Sequence, residues 1–165
     1  MRKACLDDLK VIMSIIRRTI KEMHSYHNNQ WDESYPQEKD FMKDIQDGDL
    51  YVLEKKGRLV AFICVNKIEP AEYSGLNWCL EKKDVMVIHR MAVDPKCRRN
   101  GIGSELMNFA EELALLQETG YLKTDTNSIN ENMKALFLKC GYNYIGEISF
   151  LGKNTPFYCY GKLID

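Results

Sequence analysis

No stretch of this chain stays apolar for the roughly 20 residues that a membrane-spanning helix requires. Proline is scarce, with 4 in 165 residues, and no Pro-, Gly- or Ser-rich tract divides the sequence, so an interdomain linker is not expected. Excess charge of either sign is also missing. With 23 Lys and Arg against 24 Asp and Glu the formal net charge is −1, which removes the electrostatic argument for nucleic acid or an anionic membrane as partner. The cysteines, Cys5, Cys64, Cys79, Cys97, Cys140 and Cys159, are scattered, and no two stand at CxxC spacing. His24, His27 and His89 have no Cys or carboxylate partner at zinc-binding intervals. Neither a metal nor a disulfide framework is therefore expected. Isolated thiols, and a first 20 residues that alternate charged with apolar groups unlike an export signal, suggest a cytoplasmic location.

What is present suits one folded domain over residues 1–165: the hydrophobic fraction is 45%, enough at this length to bury roughly 70% of the unfolded surface. Leu6, Leu9, Ile12, Met13, Ile16, Ile20 and Met23 recur at helical intervals behind Asp7 and Asp8, whose charges suit a helix N-terminus. A polar and aromatic loop follows over 24–35. Pro36 is expected in the first turn of a second helix, which carries Phe41 and Ile45 inward and stops near Gly48. Residues 50–54 and 59–66 read as a hairpin around Lys55-Lys56-Gly57, and 69–83 as irregular. The nearly unbroken apolar run 85–93 reads as a central strand covered on both faces. Leu106, Phe109, Ala110, Leu113 and Leu116 mark a third helix ending near Gly120. A strand over 121–126, a short helix capped by Asn130, and strands over 142–150 and 156–164 complete the pattern. The class is α+β, or mixed α/β.

Between the central strand and the third helix stands Arg98-Arg99-Asn100-Gly101-Ile102-Gly103-Ser104. The first amides of a helix have no internal partner and sit at the positive end of its dipole, so an anion is favoured there. Gly101 and Gly103 allow close backbone approach, and Lys96, Arg98 and Arg99 add charge. By itself the glycine pair also fits an ordinary turn with a solvated basic rim. A dinucleotide fingerprint would need a small residue at Leu106, and a P-loop would need Gly-Lys-Ser/Thr; both are missing.

Arg-x-x-Gly-x-Gly after a strand ending Ala-Val-Asp-Pro resembles the coenzyme A motif of the GNAT (GCN5-related N-acetyltransferase) family. The resemblance extends from Val87 to Leu113, through Asp125-Thr126 and Asn130 to Gly141-Tyr142, and on to the opening helices and closing strands. It implies a mostly antiparallel mixed sheet with a splayed parallel strand pair, flanked by about four helices. The implied activity is transfer of acetyl from acetyl-CoA, with no metal, to an amine of a small molecule or peptide. The pantetheine arm is implied to pair with Met91, Ala92 and Val93, and the pyrophosphate to lie on the amides of Arg98, Arg99, Asn100, Gly101, Ile102, Gly103 and Ser104. Asn130 matches an asparagine that contacts pantetheine, although a plain helix cap is an equal reading. Phe137 takes the position where relatives often carry a Tyr that protonates the departing thiolate; either another group such as Tyr142 or Tyr144 serves as the acid, or the thiolate leaves unaided or through water.

His89, Asp125 and Glu69 are candidate bases, each with a simpler reading: a core histidine, a strand-end acid and a surface-loop acid. Gln30, Trp31 and Tyr35 are candidates for an acceptor pocket, or for anchoring a long loop. Two alternatives to an enzyme stay open at this point. One is a coenzyme A-binding sensor without turnover, kept open by Phe137; the other is an α/β domain for a different nucleotide. A homodimer through the Tyr-rich last strand is likewise left open.

Overall fold

The computed structural model describes residues 1–78 and 84–164; Cys79 and part of the stretch expected to be irregular lie outside the described residues. The strands are β1 (Arg2–Lys3), β2 (Leu50–Lys55), β3 (Arg58–Asn66), β4 (Val85–Val93), β5 (Tyr121–Asn127), β6 (Asn143–Ile148) and β7 (Phe157–Leu163). The helices are α1 (Leu9–Ser25), α2 (Glu38–Asp47), α3 (Ile102–Leu116) and α4 (Glu131–Lys139). Hydrogen-bonded strand order is β1-β2-β3-β4-β5-β7-β6. The β1–β2, β2–β3, β5–β7 and β6–β7 ladders are antiparallel, and β4–β5 is parallel. The class is mixed α/β, as the pattern of elements implied. The chain gathers into two compact units, Met1–Val65 with Arg90–Leu106, and Asn66–His89 with Met107–Asp165. β4 and α3 each pass from one unit into the other.

In the first unit, the stripe expected on α1 buries Ile12, Ile16 and Met23 together with Phe41, Leu50, Val52 and Phe62. Phe41 meets Phe62 edge-on at 5.2 Å. Leu6, counted in that stripe, is 54% exposed because it precedes α1 in a 3-10 turn, Leu6–Asp8. The expected start of the second helix is corrected: Pro36 lies before it. The Gln37 N–H donates to Asp40 Oδ2 at 2.7 Å, and this cap sets the start of α2 at Glu38. Gly48, at φ 76°, ends α2 in the left-handed conformation that favours glycine.

In the second unit, Tyr73, Trp78, Val87, Tyr121, Ile148, Phe157 and Cys159 form the core. Part of the stretch expected to be irregular is a 3-10 turn, Ala71–Gly75, which buries Tyr73. Leu116, expected on the inner face of α3, is 82% exposed, as the helix has reached its last turn there. β7 needs glycine at position 161, where an added Cβ would fall 2.1 Å from the Tyr121 hydroxyl.

The parallel ladder pairs Val85 with Tyr121 through Ile88 with Thr124. There the Thr124 hydroxyl donates to the Ile88 carbonyl at 3.1 Å, so a side chain satisfies main chain at the last pair of the ladder. β4 runs on to Val93 and β5 to Asn127.

Candidate active site

The glycine turn belongs to the first unit. Asp94 closes β4: its N–H donates to the Val60 carbonyl at 2.8 Å, and its carboxylate receives Arg18 of α1 through Nε at 3.0 Å and Nη2 at 2.7 Å. Its Oδ1 also accepts the Lys96 N–H at 3.1 Å. The buried carboxylate therefore fixes the entrance to the turn from two sides. Asn100 Nδ2 donates to the Cys97 carbonyl at 3.2 Å, bridging the turn. Arg99 at φ 66° and Gly101 at φ 75° are both left-handed, and Gly101 leads directly into α3. Left-handed residues of this kind turn successive amides toward a common side, the geometry of an anion-binding nest. Arg99, Asn100 and Gly101 are exposed, while Ile102 is buried and anchors the first turn of α3. Gly103 and Ser104 are half-buried in that first turn. Arg98 is already engaged, donating through Nε to the Val93 carbonyl at 3.3 Å and pairing with Glu22 of α1. Of the expected backbone partners on β4, Ala92 is buried and Met91 and Val93 are half-buried.

The loop between α1 and α2 borders a groove of about 780 Å³ lined by residues that include Ile16, Ile20, His24, Asp32, Glu33 and Pro36. Trp31 instead packs into the core at 6% exposure. The Tyr35 hydroxyl accepts from Arg90 Nη1 at 2.8 Å. Gln30 is half-buried, and its N–H donates to Asn28 Oδ1 at 2.9 Å. Arg90 spans from β4 to α2, reaching both carboxylate oxygens of buried Asp44 at 2.8 and 2.5 Å. Trp31 and Tyr35 thus hold the loop to the core of this unit.

The three base candidates fall in the second unit. His89 Nε2 lies 2.8 Å from Asn66 Oδ1. Glu69 pairs at 2.5 Å with the buried ammonium of Lys123. That ammonium sits 4.4 Å from the centre of the Trp78 ring, and Trp78 in turn packs on Tyr73 at 4.8 Å. Trp78 Nε1 also donates to the Tyr73 carbonyl at 2.8 Å. The Tyr73 hydroxyl donates to Asp125 Oδ2 at 2.5 Å. The two acids named from sequence therefore belong to one network, Glu69-Lys123-Trp78-Tyr73-Asp125. Withdrawal of the Asp125 carboxyl from water pushes its pKa up to about 6, with the Tyr73 hydrogen bond opposing the rise and Glu72 adding to it. Sequence reasoning passed over the three middle members. None of the three carried a sequence signal, since β5 reads Tyr-Leu-Lys-Thr-Asp-Thr-Asn and a lysine is unremarkable in it.

Asn130 caps α4, its Oδ1 accepting the Met133 N–H at 3.3 Å, and is buried. Phe137 is buried between the rings of Tyr142 and Tyr160 at 6.1 and 5.2 Å. The Tyr142 hydroxyl is buried with no hydrogen-bond partner among the described residues, and burial drives its pKa far above the usual phenol value. Tyr144 is half-exposed, its ring edge-on to Tyr158 and Tyr160. Among the described residues no cluster of three or more His, Cys, Asp or Glu is arranged to hold a metal ion, and no helix is long and apolar enough to cross a membrane.

Residues 16–142 match the sequence model of the acetyltransferase (GNAT) family. An uncharacterized N-acetyltransferase of Bacillus subtilis, YesJ, is 21% identical over 87% of this chain and 81% of its own length. Another, from Methanocaldococcus jannaschii, is 31% identical over 68% of this chain and 46% of its own length. The crystal structure of a GNAT-family acetyltransferase from Streptococcus agalactiae superposes with a TM-score of 0.85 at 23% identity, covering 99% of this chain and 94% of that one.

Proposed function

The chain belongs to the acetyltransferase (GNAT) family and is an acyltransferase; from that premise we propose that it transfers acetyl from acetyl-CoA to a primary amine of a small molecule or peptide. The observation that carries this reading is the turn after β4, where left-handed Arg99 and Gly101 lead exposed backbone into the N-terminus of α3. These residues fit a diphosphate: the amides of Arg98–Ser104 would hold it, with Lys96 and Arg99 beside it. The end of β4, Met91–Val93, would pair with the pantetheine arm. We read residues 1–165 as one acetyltransferase domain because the family match crosses both units.

Acetyl-CoA supplies an activated acyl carbon and a thiol that departs readily. The protein's part is to orient that carbon, polarise its carbonyl with main-chain N–H groups of β4, and remove a proton from the incoming ammonium. Asp125 is the strongest of the three base candidates. With a pKa of about 6 it is ionised at neutral pH yet more basic than an ordinary carboxylate. Glu69 is neutralised by Lys123, and His89 is tied to Asn66. Phe137 has no proton to give and Tyr142 is packed away in the interior. The thiolate therefore leaves without protonation from either, and half-exposed Tyr144 remains the acid candidate.

Calorimetric titration with acetyl-CoA, using NADH and ATP as controls, tests the cofactor assignment. Saturable micromolar binding of acetyl-CoA alone is expected, and Gly101→Asp should weaken it at least about a hundredfold while the protein stays folded. The substitution sets a negative side chain beside the diphosphate and a Cβ at positive φ, but nothing lies within 4 Å of that Cβ. Unchanged affinity in the folded variant would remove the assignment. Release of thiol with a panel of amines, polyamines, amino acids and peptides then identifies the acceptor. A coenzyme A-binding sensor is the second reading, favoured by Phe137 alone, and predicts binding with no release for any amine. The proposed setting is the cytoplasm, and sedimentation would show whether two chains pair.

A further inference from the structure

Among the described residues Asp125 has a short, directional partner in Tyr73. The Tyr73 hydroxyl donates to Oδ2 at 2.5 Å from the 3-10 turn Ala71–Gly75, and Tyr73 itself is 1% exposed. Two further contacts pin the ring and its backbone: Trp78 packs on the ring at 4.8 Å, and the Trp78 indole N–H donates to the Tyr73 carbonyl at 2.8 Å. Lys123 then covers Trp78 and is closed by Glu69. The phenol is thus locked at both ends of the residue, a degree of support that packing alone does not need.

We propose that Tyr73 is a positioning residue for Asp125, fixing its carboxylate so that Oδ1 takes the proton from the acceptor ammonium. This rests on the reading of Asp125 as the base. With Oδ2 accepting from the phenol, a proton arriving at the group goes to the other oxygen. In that step the ammonium N–H bond breaks, its electron pair stays on nitrogen as the nucleophile, and an O–H bond forms at Oδ1. The phenol keeps its own proton throughout, since burial and the adjacent carboxylate hold it protonated well above the usual range.

Among the described residues around Asp125, Tyr73 is the group that stabilises its ionised form. Across the β5–β7 ladder stands Cys159, whose buried thiol is pushed up to about 12 and stays neutral. Glu72, beside Tyr73, raises the Asp125 pKa. The nearest other titratable groups along β4 and β5 have partners of their own: His89 is bonded to Asn66, and Lys123 pairs with Glu69.

The test is Tyr73→Phe, which keeps the ring and removes only the donor. In ligand-free protein, the Asp125 carboxyl titration followed by carbon-13 NMR should move upward by about one pH unit. With acetyl-CoA and the fastest amine of the panel, the acidic limb of kcat/KM should move by the same amount, and kcat should fall at every pH. Should the Phe variant fold poorly, 3-fluorotyrosine placed at position 73 gives the opposite sign. Its more acidic phenol is a stronger donor and should move the midpoint down. A midpoint that stays in place in the folded variant overturns the positioning role alone. An acidic limb that survives Asp125→Asn overturns the base reading, and the role of Tyr73 in catalysis with it.

Discussion

Two aspartates, one in each unit, are placed in opposite ways. Asp44 on α2 is 5% exposed and faces a guanidinium that grips both its oxygens, with Tyr35 completing the fork of Arg90. Asp125 on β5 has lost much of its water and, among the described residues, is given a phenol in return. The first carboxylate meets a permanent cation in bidentate geometry, so its burial is compensated and it ties α2 to β4. The second is left under-compensated, and its charge becomes something the protein can exchange. A buried acid by itself therefore indicates little; the charge of its partner separates a brace from a reagent.

That contrast can be broken from either side. The largest effect expected is on activity: Asp125→Asn should lower kcat/KM by about a hundred- to ten-thousandfold, measured by thiol release. Stability should move the other way. The folded-state pKa of Asp125 is raised from 3.8 to about 6, so the folded protein binds the extra proton between those values and loses stability as pH rises through that window. At pH 8 the Asn variant should be more stable by on the order of 1 kcal/mol, visible as a rise of a few degrees in melting temperature. A marked fall would mean that Asp125 is a brace after all.

Next in size, Arg90→Met should destabilise the protein by about 3–5 kcal/mol in urea titration, because Asp44 would be left buried without its cation. Replacing both residues, Arg90→Met with Asp44→Leu, should cost much less than that single change. Equal losses would show that the pair contributes more than mutual compensation. The smallest effect belongs to a carboxylate near the surface. Hydrogen bonds from Arg2 chiefly hold Asp8 down to about 2, against the burial that would raise it. Its contribution is present above pH 4 and is lost as pH falls through 2. Because Arg2 is exposed, Arg2→Ala should cost under about 1 kcal/mol at pH 7, and the difference from the unsubstituted protein should vanish in acid melts near pH 2.

Where the sequence could be read depended on the range of the interaction. The stripe on α1, the hairpin of β2 and β3, the buried run of β4 and the glycine turn after it are all local patterns, and each appears within a few residues of its expected place. The start of α2 was misplaced because proline signals a first turn, whereas the Gln37–Asp40 cap decided it. The Arg90–Asp44 and Tyr73–Asp125 contacts join residues 46 and 52 positions apart. Periodicity tells which residues are buried; it does not tell which buried polar groups meet. Tyr73 and Trp78 also lie in a stretch with neither helical nor strand period, so nothing marked them. The aromatics Trp31 and Tyr35 were visible as residues, but aromatic composition is the same for a loop anchor and for a pocket wall.

The chain has two tryptophans, and each unit holds one: Trp31 at 6% exposure in the first, Trp78 at 7% in the second. Each region therefore carries its own buried fluorophore. Single-tryptophan versions made with Trp31→Phe or Trp78→Phe would record the melting of one unit without interference from the other. Coincident curves would establish that the units lose structure together. The version retaining Trp78 has a second use, since the Lys123 ammonium lies against its indole: its emission would respond to any acceptor that pulled Glu69 away from Lys123, giving an optical signal for occupancy before any acetyl group moves.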